Sequence, residues 1–189
     1  IQVEHSVTEA VTSIDLISWQ LEIANGDKIS KSQKDISLEG WSVEARLYAE
    51  NVNNNFLPQS GLIHHLNFPK ASKHPNCIVE TGTKEGDYIT PFYDPMIAKI
   101  ISFGRDRNEA IKYLKDCLND LEIGGITTNL NLLKKLITNK NFLKGNIHTK
   151  FVENNLKDFV DNEFDPYYVA LAGLVIFNET TSRKLSNWY

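Results

Sequence analysis

Between residues 41 and 103 the sequence contains several short stretches typical of β-strands, which turn residues separate. In residues 41–49, Val43, Ala45 and Leu47 alternate with polar residues, and a period of two places such side chains on one face of a strand. Further strands are predicted over residues 62–68, 77–81, 88–93 and 96–103, with 77–81 and 88–93 forming a hairpin across 84–87. Short strands at this spacing favour an antiparallel sheet.

The first ten residues predict a strand that leads directly into a helix. Residues 1–5 alternate, so Gln2 and Glu4 are expected side by side on one strand face. Ser6 and Glu9 have the spacing of a reciprocal capping box. Apolar residues at helical spacing then continue on two sides to residue 24, which predicts one buried helix ending at residues 25–27 (NGD). A solvated edge strand carrying an unremarkable Gln and Glu is the alternative interpretation.

Helices are also predicted after the strands. Asp106 and Glu109 have capping-box spacing and open an amphipathic helix that residues 124–125 (GG) are expected to end. Thr128 or Asn129 is expected to cap the next helix. A short helix over 149–155 and a nearly all-apolar helix from Asp165-Pro166 to about Thr181 follow. The predicted fold class is α+β, an antiparallel sheet with flanking helices.

Composition excludes several function classes. The 189 residues are 41% hydrophobic and 23% charged with a formal net charge of −4, which gives no electrostatic footprint for nucleic acid. Cys77 and Cys117 lack metal-site spacing and do not form a disulfide framework, so they fit a reducing compartment. The longest apolar run, residues 169–177, is much shorter than the ~20 residues that span a bilayer, so no membrane association is expected.

Five blocks of this sequence resemble the biotin carboxylase family. They are residues 1–10 (IQVEHSVTEA), 43–50 (VEAR and YAE around Leu47), 56–61 (FLPQSG), 93–99 (YDPMIAK) and 125–129 (GITTN). The resemblance implies three regions. Residues 1–38 are expected to be the last strand and helix of an ATP-grasp domain, residues 39–155 the biotin carboxylase C-terminal domain, and residues 156–189 the start of a linker toward a biotin carrier.

The resemblance also implies a site. Glu4 is expected to deprotonate bicarbonate, which Gln2 and the Val3 backbone amide would hold, and Arg46 to bind biotin and stabilise its enolate. Thr149 is expected at the ATP-binding pocket. From the residues alone, Arg46 and Glu44 could equally form an ordinary surface ion pair, and His5 is interpreted as a packing and hydrogen-bonding residue.

Two departures from the family pattern matter. Ser6 replaces a proline, and the Asn and Arg of the family's N-T-R run would precede Ile1. We therefore expect a fragment that is inactive alone and whose magnesium ligands lie upstream. The implied cofactors are biotin, ATP and Mg.

The implied partners are the rest of the polypeptide and a carboxyltransferase β subunit. The apolar tail favours the 3-methylcrotonyl-CoA or propionyl-CoA carboxylase type of α subunit. Such a subunit is cytoplasmic in bacteria and mitochondrial in eukaryotes. The alternative function is a non-catalytic assembly module that recruits a partner subunit through the C-terminal helix.

Overall fold

The computed structural model describes residues 1–160 and 166–186, which belong to two units, Ile1–Phe159 and Val160–Tyr189. The helices of the first unit are α1 (His5–Thr12), α2 (Leu16–Ala24), α3 (Arg107–Asp120), α4 (Leu130–Thr138), α5 (Lys140–Leu143), α6 (Phe151–Asn154) and α7 (Leu156–Phe159). Its strands are β1 (Trp41–Tyr48), β2 (Glu50–Asn51), β3 (Leu57–Pro58), β4 (Gly61–Leu62), β5 (His65–Asn67), β6 (Cys77–Thr81), β7 (Tyr88–Ile89), β8 (Met96–Gly104) and β9 (Glu122–Gly124). The predicted α+β class is confirmed.

The main sheet is antiparallel, with β8 between β1 and β6. Its register places Lys99 of β8 directly opposite Arg46 of β1 and Glu80 of β6. Because side chains alternate between the two faces, these three residues lie side by side on one face. Ala45 and Leu47 lie on the other face and are buried.

The apolar face of the sheet packs against α3. Asp106 caps this helix, since its Oδ1 accepts from the Glu109 amide at 2.9 Å. The helix buries a stripe of side chains against β1 and β8: Ala110, Ile111, Leu114, Cys117 and Leu118. Full burial of one such leucine contributes about 2 kcal/mol, so this layer is the core of the unit.

The start of the chain differs from the prediction. Residues 2–5 form a turn and the first turn of α1 instead of a strand, and Ser6 lies inside α1. The Ser6 hydroxyl donates to Glu80 Oε1 at 2.8 Å, and Glu9 Oε1 accepts from the Leu16 amide at 2.7 Å. The predicted capping box is therefore wrong, because both of its side chains have partners elsewhere.

The predicted helix over residues 7–24 is two helices. Ser13 adopts a left-handed conformation with φ 55° after α1, and Asp15 caps α2 by accepting from the Ser18 amide at 2.7 Å. The helix α2 ends at Ala24 with Asn25 as its C-cap, in agreement with the predicted end at residues 25–27. The prediction of a buried helix is wrong for α2, which has no buried residue.

The predicted hairpin of residues 77–81 and 88–93 is also wrong. β6 pairs with β8, whereas β7 pairs with β4. Backbone bonds from Ile63 to Asp87 and from Gly86 to Ile63, both 2.9 Å, hold the 84–87 turn against the β4 region instead. The predicted strand over 62–68 is divided between β4 and β5, and β5 pairs with β9. Gly124 lies in β9, beyond the end of α3 at Asp120.

The second unit contains α8 (Pro166–Ser186). Its start at Pro166 and its helical character agree with the prediction, while Asp165 lies outside the described residues. The helix continues past the expected end at Thr181. Among the described helices, none combines the length and the apolar content needed to cross a membrane.

Candidate functional site

The polar face of the main sheet carries the residues that sequence analysis singled out. Arg46, Lys99 and Glu80 form a row across β1, β8 and β6, and α1 packs on β1 and β8. Like charges directly opposite each other on a sheet are destabilising. The adjacent cations Arg46 and Lys99 therefore need carboxylates nearby. Glu80, in the same row, pairs with Lys99, and Glu4, in the N-terminal segment, pairs with Arg46.

Glu4 and Arg46 meet on this face. Glu4 Oε1 forms an ion pair with Arg46 Nη2. A second carboxylate, Glu44, accepts from Arg46 Nε at 2.9 Å. The Glu44 side chain is only 6% exposed, whereas that of Glu4 is 58% exposed. One guanidinium is thus held by a buried carboxylate and also bound by an accessible one.

The electrostatics keep both partners charged. The backbone amide of Glu4 and a hydrogen bond from Arg46 hold the pKa of the Glu4 carboxyl below its ordinary value. A hydrogen bond to Glu44 and, to a smaller extent, one to Glu4 raise the pKa of Arg46. At neutral pH Glu4 is a carboxylate in open contact with a cation, the state that a proton acceptor requires.

Lys99 lies beside this pair and is nearly buried, with a side chain 10% exposed. Its Nζ is 2.5 Å from Glu80 Oε2 and 3.1 Å from both the Val3 carbonyl oxygen and Ser6 Oγ. Burial alone would raise the pKa of Glu80, but hydrogen bonds from Lys99 and Ser6 lower it below its ordinary value. The ammonium therefore links the sheet to the segment that carries Glu4.

The other predicted site residues are Gln2 and Val3, which adjoin Glu4 in the chain, and Thr149, which does not. Gln2 and Val3 are exposed in the same turn as Glu4. The Gln2 carbonyl accepts from the His5 amide at 3.2 Å and lies 2.7 Å from His5 Nδ1, in agreement with the hydrogen-bonding interpretation of His5. Thr149 is exposed in the turn before α6, and within residues 1–160 no hydrogen bond or ion pair joins it to Glu4 or Arg46.

Asn129 lies next to this site, although the sequence predicted no site role for it. It is buried at the start of α4, where its Oδ1 accepts from the Tyr48 amide at 2.9 Å and its Nδ2 donates to the Arg46 carbonyl at 3.1 Å. These bonds fix the backbone on either side of Leu47. Lys99 was given no role either, and its signal was a charged residue within the mostly apolar strand 96–103.

A cleft of about 320 Å³ adjoins Arg46 at the edge of β1. Glu44, Glu50 and Asn129 form part of its lining, together with apolar side chains of α3, α4 and α5. A larger cavity of about 480 Å³ lies next to α3, near His74 and Cys77. Across the described ranges, no cluster of three or more His, Cys, Asp or Glu side chains could hold a metal ion.

Comparison with known proteins defines the class to which this fold and site belong. The family model of the biotin carboxylase C-terminal domain matches residues 44–154. The chain therefore belongs to the biotin carboxylase C-terminal domain family, as its sequence blocks indicated.

The relatives are subunits of carboxylases. The chain is 42% identical over 91% of its length to the mitochondrial methylcrotonoyl-CoA carboxylase subunit alpha of Arabidopsis thaliana, and it covers 23% of that protein. It is 40% identical over 84% of its length to the mitochondrial propionyl-CoA carboxylase alpha chain of Homo sapiens and covers 22% of it. The chain thus spans less than a quarter of the length of these relatives.

Solved structures share the fold. The biotin carboxylase domain of Hydrogenobacter thermophilus 2-oxoglutarate carboxylase, in complex with MgADP, ADP and bicarbonate, matches with a TM-score of 0.81 and 35% identity. The match covers 86% of this chain and 35% of that one. The urea carboxylase of Kluyveromyces lactis matches with a TM-score of 0.75 and 37% identity, covering 86% of this chain and 14% of that one.

Proposed function

We propose that this chain supplies the bicarbonate- and biotin-binding part of the biotin carboxylase of an acyl-CoA carboxylase α subunit. The observation that carries the proposal is the contact between an accessible carboxylate, Glu4, and the guanidinium of Arg46. The relatives of the methylcrotonoyl-CoA and propionyl-CoA types favour the same type of α subunit here. The division into residues 1–38, 39–155 and 156–189 is part of this proposal.

Bicarbonate is a small planar anion with one proton to lose. Glu4 is ionised and exposed, so it can accept that proton. Gln2 lies exposed in the same turn, and its side-chain amide is a suitable donor to the anion, as is the Val3 backbone amide. Arg46 keeps its charge at any physiological pH, and its Nε is already bound to Glu44. Its Nη2 is ion-paired with Glu4, and the other terminal nitrogen, Nη1, carries N–H donors that can stabilise negative charge developing on the ureido oxygen of biotin.

The cofactors follow from the same assignment. ATP supplies the phosphoryl group that activates bicarbonate, with Mg as its counterion, and Thr149 is the residue of this chain that we assign to the ATP pocket. The MgADP and bicarbonate bound to the Hydrogenobacter domain support ATP, Mg and bicarbonate as ligands, whereas the assignment of Thr149 rests on the sequence resemblance alone. The donor set described above fits bicarbonate and biotin. Within the described residues it does not fit Mg, so the magnesium ligands are assigned to other parts of the protein.

The partners are the rest of the α subunit, including a biotin carrier, and a carboxyltransferase β subunit. The reported plant and human relatives are mitochondrial proteins. We assign this chain to the mitochondrial matrix if its source is eukaryotic and to the cytoplasm if it is bacterial.

The test is carboxylation of free biotin by the full-length protein that contains this chain. With ATP, Mg and labelled bicarbonate, we expect label to enter biotin and Glu4→Gln to reduce turnover at least about 100-fold. Glu153→Gln, which removes an exposed carboxylate of α6, is the matched control and should retain turnover. Absence of carboxylation by the wild type, or full activity of Glu4→Gln, would refute the proposal.

A second candidate function is assembly, because α8 has many exposed apolar side chains. They include Tyr168, Val169, Leu171, Leu174 and Val175. An apolar helix of this kind requires a partner surface. Arg46→Ala in the full-length protein separates the two candidates. Loss of turnover with normal subunit assembly supports the carboxylase, and loss of assembly with normal turnover supports the assembly module.

A further inference from the structure

We propose that Lys99 is a positioning residue that holds the Glu4-bearing turn on the sheet, an inference that rests on the proposed role of Glu4. Among the hydrogen bonds and ion pairs of the described residues, none joins the Lys99 ammonium to Arg46 or to the Glu4 carboxylate. The ammonium contacts the carbonyl of Val3, the residue directly before Glu4 in the chain.

The contacts of Lys99 match its hydrogen-bonding capacity. An ammonium has three donors and no acceptor. Here Nζ has three oxygen neighbours, Glu80 Oε2, the Val3 carbonyl and Ser6 Oγ. Only Glu80 is needed to neutralise the charge. The other two contacts are made to the turn that leads into α1 and to the first turn of α1, so the lysine ties this segment to the middle strand of the sheet.

The register explains why the anchor places Glu4 on Arg46. Lys99 is directly opposite Arg46, and residues directly opposite on an antiparallel pair are close neighbours. The Val3 carbonyl accepts a hydrogen bond from Lys99, and Glu4, the next residue in the chain, forms an ion pair with Arg46. The polar hydroxyl of Ser6 extends the anchor, since it also donates to Glu80 at 2.8 Å.

The charge of Lys99 also acts on Glu4. Its ammonium helps to lower the pKa of the Glu4 carboxyl, after the backbone amide of Glu4 and Arg46. Removal of Lys99 should therefore raise the pKa of Glu4 as well as release the turn. Both effects reach the proposed base without any contact between Lys99 and bicarbonate.

The experiment compares two variants of the full-length protein. Lys99→Met combined with Glu80→Gln removes the anchor without leaving a buried charge unpaired. We expect turnover of biotin carboxylation to fall at least about 10-fold through misplacement of Glu4. We also expect faster amide hydrogen exchange in residues 1–6.

Glu80→Gln alone is the matched control. It leaves the Lys99 ammonium near the Val3 carbonyl but without its charged partner, so stability should fall while turnover stays within about threefold of wild type. If Lys99 only stabilised the fold, the ranking of the two variants by activity would be reversed. The single variant would then lose more activity than the double variant, and activity would follow the thermal stability of each protein.

The outcomes separate this proposal from the proposed function. If wild type carboxylates biotin but the double variant keeps full turnover and unchanged exchange in residues 1–6, the role of Lys99 is refuted and the function stands. If wild type does not carboxylate biotin, the proposed function fails. The hydrogen-exchange comparison then still decides whether Lys99 anchors the turn.

Discussion

Glu44 holds Arg46 with a nearly buried carboxylate on the same face of the sheet, with Glu44 Oε1 2.9 Å from Arg46 Nε. The second carboxylate oxygen of Glu44 is buried and has no hydrogen-bond partner in the described part of the protein. We expect Glu44→Gln to destabilise the chain by about 2 kcal/mol, because it removes the buried negative charge that compensates Arg46. Urea unfolding at pH 7 measures the change.

The control removes the other carboxylate that binds the Arg46 guanidinium. Glu4→Gln removes a carboxylate that is mostly exposed, so solvent screens its interaction with Arg46 and the urea midpoint should scarcely move. Equal losses from the two substitutions would contradict the distinction between a buried holding carboxylate and an accessible reactive one.

Asn129 fixes the edge of β1 near Arg46 through its bonds to the Tyr48 amide and the Arg46 carbonyl. Asn129→Ala should cost about 2 kcal/mol, since it leaves two backbone groups without their buried partners. Asn119→Ala, at an exposed position of α3, should change stability by less than about 0.5 kcal/mol. Denaturation curves with similar midpoints for both variants would show that Asn129 does not fix the strand.

Gly125 lies where no side chain fits. Its φ is +98°, and a Cβ there would lie 2.6 Å from the Leu62 carbonyl oxygen and 2.7 Å from the His64 amide nitrogen. Gly125→Ala should destabilise the chain by about 2–3 kcal/mol through backbone strain and this clash. Gly82→Ala meets no heavy atom within 4 Å and should be tolerated. Thermal melts of the two variants test the contrast, and a stable Gly125→Ala would contradict it.

Glu109 gives a pH-dependent prediction. Hydrogen bonds from the Arg105 side chain and backbone lower its pKa from 4.5 to about 2. A carboxyl with a lower pKa in the folded state stabilises the fold above the pKa of the unfolded state, and this contribution is lost as pH falls toward the folded value. Wild type should therefore be more stable than Glu109→Gln at pH 6, with a gap that narrows between pH 4.5 and about 2. Urea unfolding across this pH range measures the difference in stability between the two proteins. A difference that does not change with pH would contradict the prediction.

The sequence predicted those elements whose patterns are local. β1, β8 and α3 appear at the predicted positions, because the apolar residues of each pack on the common core. The sequence did not predict correctly which strands pair with each other. Backbone bonds of Ile63 with Asp87 and Gly86, distant in sequence, decide where the 84–87 turn lies.

The start of the chain shows why part of the site could not be predicted from local pattern. Ser6 and Glu9 have capping-box spacing, yet Ser6 donates to Glu80 and Glu9 accepts from Leu16. Tertiary partners thus replaced the local ones. The approach of Glu4 to Arg46 was expected only from the family resemblance, since no periodicity joins positions so far apart. The chemical roles of Gln2, Val3, Glu4, Arg46 and Thr149 remain predictions.

The most direct test of the account is a double-mutant cycle on turnover of biotin carboxylation in the full-length protein. Its members are Glu4→Gln, Arg46→Gln and the protein with both changes. If the two side chains act together at one site, each single variant should lose at least about 100-fold, and the double variant should lose little more than either. Losses that multiply in the double variant, or a single variant with wild-type turnover, would contradict a common site.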